Sequence, residues 1–146
     1  MRHAPLALGL LALLCGAQAA DALHGKCGGK VQSQYTWEGG AGNDTQTLTS
    51  GNDVASGNGG DDTIYGSGGH DIICGESGND TLYGGNGNDF LVGHGGNDNI
   101  YGEAGNDIIY TGPDNDYADA GTGTDIIIDI GGTDTCLNGE EVENCE

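Results

Sequence analysis

The sequence predicts an all-β chain wound as a right-handed parallel β-solenoid of short strands and Gly-rich turns, and three observations predict it. Asp44, Asp53, Asp62, Asp71, Asp80, Asp89, Asp98, Asp107, Asp116, Asp125 and Asp134 follow one another at intervals of nine residues without a slip. Gly stands two residues before ten of these eleven aspartates, Asp114 being the exception. Two residues after them comes an apolar side chain in most repeats: Ile64, Ile73, Leu82, Leu91, Ile100, Ile109 and Ile127. A fixed short period of this kind marks a repeat architecture in which each unit buries its apolar face only against its neighbours.

Each element follows from the period. The six residues ending in Asp form a turn, because glycine permits positive φ at little cost. Gly39, Gly57, Gly66, Gly75, Gly84, Gly93 and Gly102 hold a second position, five residues before the Asp. Asn79, Asn88, Asn97 and Asn106 precede Asp directly, and Asn also tolerates the left-handed region. The remaining three residues form a strand that points out, in and out, so its middle residue belongs to the core. Two turns and two strands make one 18-residue coil, and coils stack around a thin aliphatic core.

Composition narrows the function. Gly accounts for 31 of 146 residues with no period of three, which excludes collagen, and the length allows one domain. There are 23 acidic residues against 3 Lys and Arg, a net charge of −20. Such a chain repels nucleic acid and anionic lipid. A small Gly-rich chain so charged stays unfolded unless something neutralises it. Calcium, which takes six to eight oxygens from carboxylates and backbone carbonyls, fits that need.

The segments Gly84-Gly85-Asn86-Gly87-Asn88-Asp89-Phe90-Leu91-Val92 and Gly102-Glu103-Ala104-Gly105-Asn106-Asp107-Ile108-Ile109-Tyr110 resemble the RTX nonapeptide, the haemolysin-type calcium-binding repeat. The resemblance spans roughly residues 39–137 and implies a β-roll in which each Ca²⁺ lies between two stacked turns and takes an Asp from each. Sorted at 18 residues, the aspartates form two ladders: Asp44, Asp62, Asp80, Asp98, Asp116, Asp134, and Asp53, Asp71, Asp89, Asp107, Asp125. Their gaps number about nine, and nine ions would bring about +18. Metal binding and folding would then be one event, with affinity of about 10⁻⁴–10⁻³ M, as for extracellular modules. Asp is also an ordinary turn residue, but the unbroken period and the charge excess weigh against stacking without metal. The first two repeats, with Gln46, Leu48-Thr49 and Ala55, depart from the pattern, as does Thr111-Gly112-Pro113-Asp114. Asp44, Asp53 and Asp116 are therefore the weakest members of the set.

The ends differ from the middle. Residues 1–19 read as a secretory signal: Arg2 and His3, an apolar run over residues 6–14 too short to span a bilayer, then Ala17-Gln18-Ala19 for cleavage. Cys15 follows Leu14, where a lipid anchor needs a small residue. Without the signal the chain keeps Cys27, Cys74, Cys136 and Cys145, an even number that favours disulfides with three connectivities. Cys136 with Cys145 around a short polar loop is the favoured pair, which leaves Cys27 with Cys74. Residues 20–38 carry an alternation, Val31, Ser33, Tyr35 and Trp37 against Lys30, Gln32, Gln34 and Thr36, that suggests a capping strand. Residues 138–146 leave the repeat and read as a disulfide-closed cap over a sheet end otherwise prone to pairing. An N-terminal signal, where RTX proteins resemble substrates of a route with a C-terminal one, points to general secretion and an extracellular, periplasmic or cell-surface location.

Outward strand residues also sort by side. One side carries Thr63 and Tyr65, Thr81 and Tyr83, Asn99 and Tyr101. The other carries Ile72 and Cys74, Phe90 and Val92, Ile108 and Tyr110, Ile126 and Ile128, too apolar to face water uncovered. The N-terminal segment pinned by Cys74, a protein partner or self-association would cover it. The Thr/Tyr side suits a glycan or a surface. An ice-binding array needs a regular Thr on the turn, yet those positions hold Ala41, Ser50, Gly59, Gly68, Ser77, Asn86 and Gly95. His70 and His94 replace turn residues, and no HExxH or G-x-S-x-G motif occurs, so the residues suggest no catalysis. The expected function is a calcium-dependent structural or interaction role, with adhesion or carbohydrate binding as the alternative.

Overall fold

The computed structural model describes residues 36–143 and Cys145, and within them the chain is a two-sheet parallel β-solenoid without helix. Thirteen strands follow in order: β1 Trp37–Glu38, β2 Thr45–Thr47, β3 Val54–Gly59, β4 Thr63–Tyr65, β5 Ile72–Ser77, β6 Thr81–Asn86, β7 Phe90–Gly95, β8 Asn99–Ala104, β9 Ile108–Tyr110, β10 Tyr117–Asp119, β11 Ile126–Ile128, β12 Thr135–Leu137 and β13 Glu141–Glu143. The odd strands form a seven-stranded sheet and the even strands a six-stranded one. Every pair is parallel, and in all but the pair of β11 with β13 the partners are 18 residues apart, as in Ile73↔Leu91 and Leu82↔Ile100.

The last coil breaks that step. Ile126 pairs with Glu141 and Ile128 with Glu143, an offset of 15 residues, so the final coil closes three residues early. The region set apart as a cap therefore supplies one more strand of the roll.

Five strands run to six residues where the repeat predicts three. Coil-to-coil pairing continues into the turn, at Asn58↔Glu76 and Gly85↔Glu103. Stacked turns can hydrogen-bond laterally as strands do, and this satisfies backbone groups that a free loop would leave to water.

The core is the predicted line of single residues. Ile64, Ile73, Leu82, Leu91, Ile100, Ile109 and Ile127 are fully buried, with Ala55 and Ala118 filling the equivalent places in weaker repeats. Both open ends of this line are plugged. Trp37 pairs with Ala55 and packs against the core at one end, not over the outer face. At the other, Cys136 occupies the core position opposite Ala118 and bonds to Cys145, and both pack against the core.

The apolar side of the seven-stranded sheet forms a second cluster. Cys74, Val92 and Tyr110 are buried there, with Ile72, Phe90, Ile108 and Ile128 packed against them. Cys74 is disulfide-bonded. Its expected partner Cys27, the rest of the proposed capping strand and the secretory signal lie outside the described residues. With Cys136 and Cys145 joined to each other, peptide mapping of the unreduced protein is expected to yield a Cys27–Cys74 pair. A Cys27 peptide linked to Cys136 or Cys145 would refute it.

Candidate calcium ladders

The strand that follows each turn fixes where its Asp points. Asp62, Asp71, Asp80, Asp89, Asp98, Asp107, Asp116, Asp125 and Asp134 are all buried, as is Asp53, while Asp44 at the open end is half-exposed. The structure assembles all eleven into the two expected ladders through one repeated hydrogen bond. The backbone N–H of each Asp donates to Oδ1 of the Asp 18 residues later, at 2.7–2.9 Å, in nine successive steps. Asp116 joins on the same terms as its neighbours, although its repeat lacks both glycines.

A second ladder runs beside the first in the opposite sense. The residue before each Asp offers its side chain to the backbone N–H one coil later, as in Asn97 N–H to Asn79 Oδ1 and Asn106 N–H to Asn88 Oδ1. This overturns the conformational reading of these asparagines, none of which has positive φ. Positive φ falls instead four and two residues before the Asp, as at Glu103 and Gly105. The asparagines are side-chain acceptors for backbone that the turn would otherwise leave unpaired. Any small acceptor serves: Asp61 Oδ1 takes the Asn79 N–H and His70 Nδ1 takes that of Asn88. His70 is thus part of the stack.

With Oδ1 satisfied, Oδ2 decides the chemistry. In Asp62, Asp71, Asp80, Asp89, Asp98, Asp107, Asp116 and Asp125 it is buried and has no hydrogen-bond donor. A buried carboxylate oxygen in that state requires a proton or a cation. In six of the eight it lies against the glycine five residues earlier, whereas Asp116 and Asp125 have Thr111 and Ala120 at that place. A Cβ on Gly84 would sit 2.6 Å from Asp89 Oδ2 and 2.8 Å from the Gly102 carbonyl oxygen of the next coil. Gly57, Gly66, Gly93 and Gly102 repeat this pair of oxygens, one from the turn's own Asp and one carbonyl from the following coil. The missing side chain leaves a notch where hard oxygens from two coils converge, which is the donor set that calcium takes.

Burial pushes these carboxyls up, and neighbouring ladder carboxylates add to it in most of them. Asp71, Asp80 and Asp116 rise to about 6, Asp107 to about 7 and Asp98, at the middle of its ladder, to about 8. The first coil differs. Burial raises Asp53 too, but the Thr49 and Thr36 hydroxyls and the Thr49 N–H more than offset this and hold it below the ordinary carboxylate value. Asp44 Oδ2 receives the Gly40 N–H at 2.8 Å. The second oxygens of these two already have protein donors, as does that of Asp134, which accepts the Thr111 hydroxyl at 3.2 Å, where those of the other eight have none.

Two acids at the far end lie outside the nine-residue frame. Asp129 takes the place of the glycine five residues before Asp134, is itself buried, and helps raise Asp134. Glu140 Oε2 accepts the Asp125 N–H, the bond that Asp gives Asp elsewhere. Cys74, Glu76 and His94 also approach one another closely, but Cys74 is disulfide-bonded and offers no thiolate.

On the six-stranded sheet, Tyr65, Tyr83 and Tyr101 stack with centroids 4.8 and 4.9 Å apart and nearly parallel rings. The rings cover one another's faces and present their edges and hydroxyls outward. Stacking against a sugar needs a free face, which leaves Tyr65, at the end of the row, as the available one.

A comparison with curated proteins and with solved structures yields no match. The RTX calcium-binding nonapeptide repeat, described as a unit of 4 copies, matches over residues 47–82, 83–118 and 92–127, more than half of the chain. Together with the parallel roll and its aspartate ladders, that match makes this chain a member of the RTX calcium-binding repeat family, whose repeats bind Ca²⁺.

Proposed function

We propose that this is an exported calcium-loaded structural module that folds as it binds several Ca²⁺ ions, each shared between a ladder Asp of one coil and the stacked coil beside it. One observation carries the reading: eight buried Oδ2 atoms without a donor, most of them set against a glycine notch beside a carbonyl of the next coil. Asp62, Asp71, Asp80, Asp89, Asp98, Asp107, Asp116 and Asp125 are the strong ligands, Asp134 ends its ladder, and Asp44 and Asp53 are the weakest, since their second oxygens are already bonded within their own turn. The ions supply the neutralising charge, and the chain's own part is to hold oxygens in register from coil to coil. The N-terminal signal pattern supports export, and the lack of any catalytic motif supports a role without catalysis. Among the described residues no helix is long and apolar enough to cross a membrane.

Far-UV circular dichroism during calcium titration tests the mechanism. The metal-stripped chain is expected to lack β-structure at neutral pH and to gain it cooperatively with calcium up to millimolar levels, while magnesium, smaller and slower to shed water, fails to replace it. A chain already β-rich in chelator would sink the coupling of folding to binding.

A second reading, a calcium-dependent interaction module, rests on the apolar side of the seven-stranded sheet. A cavity of about 150 Å³ opens there between Phe90, Val92, His94, Tyr110, Pro113 and Ile130. This favours a protein partner on that side over a glycan on the tyrosine side.

A further inference from the structure

The aspartate period stops at Asp134, and in the odd ladder, the one of Asp53, Asp71, Asp89, Asp107 and Asp125 that precedes the odd strands, it stops at Asp125. Continuing by 18 would bring the next rung to Glu143. The structure puts Glu140 there instead, because the last coil is three residues short and aligns Ile126 with Glu141. Glu140 Oε2 accepts the Asp125 N–H, as the next Asp does at the other rungs of that ladder. The N–H groups of Glu140 and Glu141 both donate to the Asp125 carbonyl oxygen, which ties the short coil to the rung below it. Asp125 is fully buried, and its Oδ2 is one of the eight without a donor. At that gap the molecule repeats three features of the gaps inside the ladder, with Ala120 standing where those gaps have glycine: a buried unpartnered carboxylate oxygen, a carboxylate on the next coil, and the same bond setting their register.

We propose that Glu140 is the terminal calcium ligand of the odd ladder, sharing one ion with Asp125 outside the nine-residue frame. The longer side chain suits this place. A Glu reaches one methylene further than Asp and spans the displacement left by the short coil, while its exposed position at the open end lets the added carboxylate be hydrated until the ion arrives. The three-residue deletion, which looks like the decay of the repeat, instead closes the ladder with a charged rung of its own.

This rests on the calcium reading above, and the test separates the two. Glu140→Gln keeps an oxygen acceptor for the Asp125 N–H and removes only the charge. Glu141→Gln makes the same charge change one residue away, at an exposed side chain outside the ladder. Calcium bound per chain is measured by equilibrium dialysis and elemental analysis of the purified proteins, with circular dichroism to confirm that each is folded. The expected result is one ion fewer at saturation in Glu140→Gln than in wild type and in Glu141→Gln, with the same β-signal in all three. If wild type loads calcium and Glu140→Gln loads the same number over the same range, Glu140 is a hydrogen-bonding cap and the proposal falls alone. If wild type takes up no calcium, the proposed function fails and takes this site with it.

Discussion

Gly87→Ala is expected to destabilise the calcium-loaded roll by about 3 kcal/mol or more. Two costs coincide at this residue. Its φ of +133° is a conformation that an L side chain rarely adopts, worth about 1–2 kcal/mol. A Cβ there would also overlap the Gly69 carbonyl oxygen of the preceding coil. That atom is backbone, held in the parallel stack, so relief requires the coils to part, and forced overpacking costs typically about 1–3 kcal/mol. For a domain of this size the sum corresponds to a fall in Tm of more than about 10 °C in saturating calcium. Gly95→Ala is the control, since its Cβ would meet only the Glu76 carbonyl oxygen, at 3.8 Å, and it is expected to change stability by less than about 1 kcal/mol. Thermal melts of both variants check the pair; equal melts would mean that coil spacing is soft and that the glycine pattern reflects something other than stacking.

Acidification is expected to act in opposite directions on the metal-free and calcium-loaded chains. In the metal-free fold, burial raises the carboxyls of Asp71, Asp80 and Asp116 to about 6, Asp107 to about 7 and Asp98 to about 8, from an ordinary 3.8. The native state therefore holds protons more tightly than the unfolded state, and stability falls as pH rises through these values. Metal-stripped protein brought from pH 8 to pH 5, still above the sequence isoelectric point of 4.1, is expected to gain β-signal. With calcium the sign reverses, because protons compete for the same oxygens and the calcium midpoint moves to higher concentration at lower pH. Circular dichroism at fixed pH, with and without calcium, reads both effects. Loss of structure on acidifying the stripped chain would show that the ladder carboxyls do not carry the burial penalty assigned to them.

Much of this molecule is readable because its period is short and unbroken. Asp, Gly and Ile recur at fixed offsets, and a nine-residue frame leaves each type only one place in a two-strand coil. The core line from Ile64 to Ile127, the two aspartate ladders and the two unlike outer faces all follow from that frame. The roles of Asn79, Asn88, Asn97 and Asn106 were harder to read, because a residue that tolerates positive φ and a residue that accepts a hydrogen bond from the next coil look alike in one dimension. His70 reads as an irregularity until its Nδ1 is seen to accept the Asn88 N–H.

The sequence by itself determined the fold, the ion and the aspartates that line up from coil to coil, since local turn chemistry and a strict repeat need no distant contact to be interpreted. Tertiary structure alone decided what happens at the ends and between the coils. Trp37 and the Cys136–Cys145 bond become plugs of the core, and Glu140 becomes a rung of the odd ladder, because a 15-residue final coil shifts the register by three. Likewise, only stacking shows that Oδ1 is held by the preceding coil while Oδ2 is left without a donor. Contacts across a coil depend on how successive turns superpose in space, and where the period fails nothing in the order of residues sets that superposition.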